Sequence, residues 1–416
     1  MILNYCERRL LVLTAFHGQR NFFSSAFSRV RQCGGVGDAL KKSIRRRLSS
    51  AASDGAAKGS SAGWSGRRSV GWWLLGCAGA TWGAVAVGGL TRLTESGLSM
   101  VEWRLIRDMA PPSSQAAWEA EFDKYKAFPE FQYKGQAGEE MTLAQFKFIW
   151  TLEYLHRMWG RTLGLLFFIP AGYFAYKGAF RAAALRNSVL ASSALILFQG
   201  FMGWYMVKSG LDPSQNSEAD VPRVSQYRLA THMGSAVLLY AVLLRAGLGQ
   251  LATSAVGASA SASPLLRVLA HNTTGAVFAT TVFGALVAGL DAGLIYNTWP
   301  KFESHWLPPE AYELQPWYRN YTENPAMVQA THRHLAYLTV GTAAATWAVG
   351  RRLRLNTKSK VALHALLAVT SLQLLVGVTT LVHSAPTWLA SLHQNSAMAL
   401  ISVALWLSHE LKRIPK

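Results

Sequence analysis

The stretch 152–161 (LEYLHRMWGR) places a carboxylate, an imidazole and two guanidiniums within nine residues at the start of an apolar run. Glu153 and His156 would share one face of a helix, and Arg157 and Arg161 a neighbouring face. Charged groups in a membrane-embedded helix are costly and usually functional. A carboxylate can act as a base, an imidazole can bind a metal, and a guanidinium can pair with an anion. The structural alternative is an ordinary ion pair between Glu153 and an arginine at the membrane surface.

The chain repeats this pattern in a second half. A His-Arg pair, a glutamine four residues before a glycine, and a Gly-Leu dipeptide recur in the same order. They lie at 152–161 and 328–337, at 199–203 and 373–377, and at 88–90 and 288–290. With four apolar stretches in each half, both halves run in the same direction, so an axis along the membrane normal should relate them.

Eight apolar stretches have lengths near the roughly 20 residues that a spanning helix needs. They lie at about 70–90, 148–176, 189–208, 229–246, 267–290, 327–350, 361–382 and 389–409. Half of the 416 residues are hydrophobic, and 15 are tryptophan. The sequence therefore predicts an all-α polytopic membrane protein, with eight transmembrane helices arranged as two pseudo-symmetric four-helix bundles. The predicted halves are 67–250 and 251–416.

The N-terminal segment 1–66 has a different composition. It is rich in serine and alanine and carries eleven Lys and Arg residues against three acids, within a chain of net charge +19. This composition is typical of a mitochondrial transit peptide and a disordered N-terminus. A basic tail that binds nucleic acid is disfavoured because apolar spans follow immediately, so no nucleic-acid partner is expected.

Charge in the connections predicts the orientation. The short connections 177–188, 245–267 and 350–360 and the C-terminus are basic. By the positive-inside rule they face the matrix together with the N-terminus, which implies a multi-pass protein of the inner mitochondrial membrane. Two of the three cysteines, Cys6 and Cys33, lie in the presequence, so histidine must hold any metal.

Four histidines share one predicted position, within the first turns of a helix that enters from the intermembrane-space side. They pair by half as His156 with His232 and His332 with His393. Two imidazoles on facing helices can occupy the two axial positions of a haem iron, which predicts one haem in each half. Arg157 and Arg333, each next to a histidine, are expected to pair with haem propionates. For any single histidine, the alternative is a hydrogen-bonded packing residue.

The two predicted haem sites differ at one position. Glu153 lies three residues before His156, whereas Gln329 lies three residues before His332. A carboxylate can act as a base or stabilise a developing cation, and an amide cannot. We therefore predict a reactive site in the first half and a supporting or electron-transferring site in the second.

Seven separated motifs together resemble the haem A synthase family in its eukaryotic mitochondrial form. They lie at 87–103, 153–161, 199–211, 224–232, 287–300, 329–333 and 389–394. This resemblance implies an inner-membrane oxidoreductase that oxidises a porphyrin methyl group of haem O to a formyl group, giving haem A for cytochrome c oxidase assembly. It also implies a haem b cofactor at His332 and His393, haem O as substrate at His156 and His232, and a catalytic role for Glu153.

The resemblance implies partners as well. They are a ferredoxin-type electron donor on the matrix side, membrane lipid and, as further candidates, haem O synthase and cytochrome c oxidase assembly factors; a homo-oligomer is left open. Many bacterial relatives carry a cysteine pair in the first extracytoplasmic loop, and 91–147 has none here. A non-catalytic di-haem b cytochrome and a haem carrier remain alternatives, since both would use the same histidines.

Overall fold

The computed structural model describes residues 64–103, 110–128, 130–132, 141–212, 224–252 and 263–413. The predicted transit peptide, 1–66, lies outside these residues except for its last three positions. From Ser65 onwards the chain forms one compact unit.

The described residues are predominantly helical and contain no β-strand, apart from one isolated bridge between Phe302 and His305. This confirms the predicted all-α fold. Within the described ranges, nine helices have twelve or more residues: α1 (Trp64–Leu93), α2 (Gln115–Lys126), α3 (Leu143–Tyr176), α4 (Ala183–Gly210), α5 (Gln226–Leu251), α6 (Pro264–Gly289), α7 (Pro325–Gly350), α8 (Thr357–Val382) and α9 (Thr387–Arg413).

Five of these helices, namely α1, α4, α5, α6 and α8, are long and apolar enough to cross a membrane. This supports a polytopic membrane protein. The other three long helices, α3, α7 and α9, carry clusters of polar residues in their N-terminal halves. Those clusters include the histidines, arginines and amides that the sequence analysis assigned to the two sites.

Helix α3 begins at Leu143, five residues before the predicted apolar stretch. A capping box explains this early start, because the Thr142 side chain accepts from the Gln145 backbone while the Gln145 side chain accepts from the Thr142 backbone. Before α3 the chain forms the short helix α2, with Ser114 as its N-cap. Phe122 and neighbouring aromatic residues pack α2 against the first turns of α3.

Packing differs between the halves. Helices α6, α7, α8 and α9 form a closed ring in which each helix packs along the next. Helices α4 and α5 also pack along each other, but α3 and α4 approach closely at only a few positions. The α3–α4 seam is therefore looser than the α7–α8 seam at the equivalent place in the second half.

The two halves share one hydrophobic core. It contains fully buried leucines from five helices, which are Leu74 of α1, Leu243 of α5, Leu266 of α6, Leu363 of α8 and Leu407 of α9. Helix α5 packs on both α6 and α9, so it joins the first half to the second. Burial of this common apolar surface holds the halves together.

The connection between α6 and α7 is built from short helical turns at Ala292–Leu294, Pro309–Tyr312, Trp317–Arg319 and Asn320–Glu323. Asn324 closes this connection and caps α7, because its side-chain oxygen accepts from the backbone of Ala326 and Met327. The Asn324 amide nitrogen donates to the Glu310 carbonyl at 2.6 Å. The connection is thereby fixed to the first turn of α7.

Candidate haem sites

Each of the four predicted histidines faces a glycine on a neighbouring helix. Rings on α3, α5, α7 and α9 face glycines on α1, α4, α6 and α8. A Cβ added to Gly88 would lie 2.6 Å from Cε1 of His156, and one added to Gly203 would lie 3.8 Å from Cε1 of His232. In the second half, a Cβ added to Gly284 would lie 3.2 Å from Cε1 of His332, and one added to Gly377 would lie 2.8 Å from Cε1 of His393. Three of these distances leave too little room for a side chain, so glycine is what allows the ring to sit there.

The rings of the two second-half histidines lie close together. The ring centres of His332 and His393 lie 6.4 Å apart, with the ring planes nearly perpendicular. This separation fits two imidazoles on opposite sides of one metal ion, because a metal–nitrogen bond is about 2 Å long and a ring nitrogen lies about 1 Å from the ring centre.

Three of the four rings have a buried nitrogen without a hydrogen-bond partner, namely Nδ1 of His156, His232 and His332. Other histidines of the described chain behave differently. Nδ1 lies 2.7 to 2.9 Å from the carbonyl oxygen four residues earlier in His271, His334 and His383. Because buried polar atoms are normally hydrogen-bonded, the three open nitrogens favour ligand binding over a packing role.

In the second half, Gln373 supports the helix of the fourth histidine. Its Nε2 atom lies 3.2 Å from Nδ1 of His393 and donates to the His393 carbonyl oxygen at 3.2 Å. The hydroxyl group of Ser396 donates to Oε1 of Gln373. Gln373 therefore contacts both the ring and the backbone of His393.

Gln199 has the equivalent position in the first half. Its Nε2 atom donates to the hydroxyl oxygen of Ser235 at 2.6 Å and to the His232 carbonyl at 3.3 Å. The repeated motif of a glutamine four residues before a glycine thus has a structural meaning. The glutamine holds the backbone of the histidine-bearing helix, and the glycine faces the histidine ring.

Arg157 is buried and donates in three directions. Its Nε atom lies 2.6 Å from Oε1 of Glu153, while Nη1 and Nη2 donate to the carbonyl oxygens of Glu102 at 2.8 Å and Met100 at 2.7 Å. The guanidinium also lies over the ring of Trp103. The ion pair considered for the membrane surface is therefore present, but its side chains are at most 5% exposed.

Arg333 has the same kind of environment in the second half. Its Nη2 atom donates to Oε1 of Gln329 at 2.9 Å and to the Tyr296 carbonyl at 2.6 Å, and Nη1 donates to the Thr298 carbonyl at 3.0 Å. The guanidinium lies 4.0 Å from the ring centre of Phe302. Arg157 thus connects α3 to the segment that follows α1, and Arg333 connects α7 to the segment that follows α6. The pairing of both arginines with propionates stays a prediction.

The structure changes the register of the repeat at one point. The sequence comparison aligned 88–90 with 288–290, but the histidine contacts pair Gly88 with Gly284. The backbone agrees, because positive φ values occur seven residues after each glycine, 51° at Glu95 and 53° at Asp291. The alignment of 88–90 with 288–290 was therefore wrong by four residues. The error arose because the Gly-Leu dipeptide at 289–290 lies about one helical turn after Gly284, the residue that corresponds to Gly88.

The aromatic contacts and loop carbonyls around the arginines were not predicted. Neither Trp103 nor Phe302 was among the predicted site residues. Their stacking on arginine requires a chain reversal that local sequence patterns do not specify. The only signal available in the sequence was that an aromatic residue occurs in the connection before each arginine, since positive charges stack on aromatic rings.

The described chain is thus a helical membrane protein in which four histidines each face a glycine on a neighbouring helix. The family model described as cytochrome oxidase assembly protein, COX15-CtaA, matches residues 71–405, and the chain belongs to this family. The heme A synthase COX15 of Bos taurus is 50% identical over 349 residues, which cover 84% of this chain and 83% of the relative. The human protein of the same name is 48% identical, with 84% of each chain covered. The heme A synthase of Nitrosospira multiformis is 40% identical, covering 82% of this chain and 93% of the relative. The family resemblance predicted from the seven motifs is confirmed.

Proposed function

We propose that this chain is a haem A synthase, a membrane oxidoreductase that converts haem O to haem A in mitochondria. Its similarity to mammalian and bacterial proteins of that name over most of its length supports this activity. The observation in the structure that carries the proposal is the presence of two pairs of histidines, with each ring facing a glycine on a neighbouring helix. This arrangement suits two flat metal-containing groups rather than one bare ion.

The residues present fit haem. Three histidine nitrogens are buried without partners, and two imidazoles suffice for a haem because the porphyrin supplies the other four nitrogen ligands. His332 and His393 would hold haem b, and His156 and His232 would hold haem O. When bound, the haem iron supplies the redox chemistry by which the methyl group is oxidised. The protein supplies orientation and a pocket shielded from water.

Two differences between the halves support a substrate site in the first half. Glu153 provides a carboxylate where the second half has the amide of Gln329, and Arg157 holds that carboxylate in place. The α3–α4 seam is also looser than the α7–α8 seam. A substrate must enter and its product must leave, whereas a resident cofactor benefits from a closed ring of helices. Glu153 then acts as a base or stabilises positive charge during oxidation.

The architecture that goes with this function has eight transmembrane helices, formed by α1 and α3–α9, in two pseudo-symmetric halves, 67–250 and 251–416. Both termini face the matrix, and 1–66 contains the transit peptide. A ferredoxin-type protein on the matrix side would supply electrons, and a haem b held by His332 and His393 would serve as the redox cofactor between that donor and the first site. The basic connections and the length of all eight helices, 26 to 34 residues, support this arrangement.

Replacing Glu153 tests the proposal. In Glu153→Gln, the amide keeps the shape but loses the charge, so extracted haem should lack haem A while the haem b signal persists. Glu119→Gln, an exposed change on α2, should leave haem A formation intact. Haem A formed at the normal rate by Glu153→Gln would remove the catalytic role of Glu153. Two equivalents of haem b, without haem O or haem A in the purified wild-type protein, would instead indicate an electron-transfer cytochrome.

A further inference from the structure

Two adjacent glycines on α1 receive side chains from opposite halves of the protein. The ring of His156 occupies the space beside Gly88. The carboxamide of Gln394 occupies the space beside Gly89, closer than any Cβ would permit. Gln394 immediately follows His393, a ligand of the second site. One turn of α1 therefore touches a ligand of the first site and the neighbour of a ligand of the second.

Hydrogen bonds fix this contact. Nε2 of Gln394 donates to the carbonyl oxygen of Val85 at 2.6 Å. The next residue, Asn395, accepts from the indole nitrogen of Trp82 at 2.9 Å. Two successive residues of α9 are thus bonded to the segment of α1 that ends at the two glycines.

The repeat shows that packing alone does not require these polar groups. In the register set by the histidine contacts, Gln394 corresponds to Met233 and Gly89 corresponds to Ala285. Met233 packs against the apolar cluster that contains Ala285, without a comparable hydrogen bond among the described contacts. An apolar pair is sufficient at that junction. The glycine and glutamine at the other junction therefore call for a different explanation.

We propose that Gln394 is a positioning residue that couples the two histidine pairs. It holds the helix turn of His393 against the turn of α1 that backs His156, so a change at the second site is transmitted to the first. The inference rests on the proposed function, because it assumes a haem at each pair. Its physical basis is that the two turns are linked by a partly buried hydrogen bond and by contact without an intervening side chain.

The test is Gln394→Leu in the full chain, purified in detergent and supplied with haem O. Leucine nearly keeps the volume but removes the hydrogen bond to Val85. Electron paramagnetic resonance would report both low-spin signals, with the first-site signal assigned as the one lost in His232→Ala. We expect that signal to shift and haem A formation to slow by about tenfold, as for other outer-shell partners of metal ligands. The haem b content should stay unchanged.

Met233→Leu, at the equivalent junction, is the matched control and should leave both signals in place. If Gln394→Leu does not accumulate, Gln394→Asn gives the same test, because its shorter side chain cannot reach Val85. Gly89→Ala should shift the second-site signal, since it pushes Gln394 away. An unchanged first-site signal and rate in the Gln394 variants, or an effect limited to haem b, would overturn the inference. Failure of the wild-type protein to make haem A would overturn the proposed function instead, and the spectra would still report the coupling.

Discussion

The Nε atom of Arg157 lies 2.6 Å from a carboxylate oxygen of Glu153, one turn earlier on the same buried helix face. In the second half, Arg333 meets the uncharged amide of Gln329 at 2.9 Å. The same scaffold therefore holds a charge pair in one site and a charge with a neutral acceptor in the other. The difference separates the two sites in both chemistry and stability.

Removing the two arginines should have unequal costs. Arg157→Leu leaves the buried Glu153 carboxylate without its hydrogen-bonded counter-charge, which should lower the free energy of unfolding by about 3–5 kcal/mol. Arg333→Leu leaves only neutral acceptors unpaired, so a loss of about 1–3 kcal/mol is expected. Thermal unfolding of the detergent-solubilised variants would measure both. Adding Glu153→Gln to Arg157→Leu should recover part of the loss, and equal losses in the two single variants would contradict this prediction.

The glycines that face the histidines should not tolerate alanine. Gly88→Ala would place a Cβ 2.6 Å from the His156 ring, and Gly284→Ala would place one 3.2 Å from the His332 ring. We expect Gly88→Ala to reduce first-site haem content strongly and Gly284→Ala to reduce haem b to a smaller extent. Gly160→Ala and Gly275→Ala are matched controls, because nothing lies within 4 Å of either added Cβ. The controls should retain haem and gain up to about 1 kcal/mol from the better helix former.

The two glutamines should differ in their effect on haem. Gln373 contacts the ring of His393, whereas Gln199 contacts only the backbone of His232 and a serine. Gln373→Leu should therefore weaken haem b binding by about tenfold and shift its midpoint potential. Gln199→Leu should change first-site affinity less. Equal effects, measured by haem titration and redox potentiometry, would show that backbone support is what matters.

The α6–α7 connection should loosen at both extremes of pH. The Tyr296 hydroxyl donates to the Glu310 carboxylate, and this hydrogen bond lowers the pKa of Glu310 and raises the pKa of Tyr296 to about 12. The carboxylate contribution is present above the ordinary pKa of about 4.3 and is lost as pH falls further. The tyrosine contribution is present below the ordinary pKa of about 10 and is lost as pH rises towards 12.

Limited proteolysis across this pH range would detect the loosening. Cleavage within 291–324 should be slowest between about pH 5 and 10, where both groups have the protonation states that the bond needs. Tyr296→Phe removes the donor and should abolish the dependence. Persistent pH dependence in that variant would assign it to other groups.

The sequence predicted those parts of the site that depend on residue type and period. The four histidines and the contrast between Glu153 and Gln329 could be identified because apolar spans and charges leave local signals in the sequence. The starts of α3 and α4 were placed too late, since hydropathy ignores the polar first turns that a cap such as Thr142 can begin.

Contacts between distant segments could not be predicted in the same way. The hydrogen bond from Gln394 to α1 joins residues 309 positions apart, and the hydrophobic periodicity of the two segments does not predict it. The arginines were expected at propionates, yet the structure shows them bonded to loop carbonyls, because guanidinium donors also satisfy buried backbone oxygens. The error in aligning 88–90 had a related cause. A dipeptide can recur by chance along a helix, whereas contact with a histidine ring identifies the equivalent glycine in each half.

Helix α9 has a consequence for truncated forms of the protein. A premature stop before residue 387 removes His393, but it also removes Gln394 from α1 and Ser402, which bonds to Tyr240 of α5 at 2.6 Å. Such a chain would keep every residue of the first half but would lose the helix that packs against α1 and α5. We expect such a fragment to bind no haem at either site unless the missing helix is supplied as a separate polypeptide, a result that co-expression of 1–386 with 387–416 would measure.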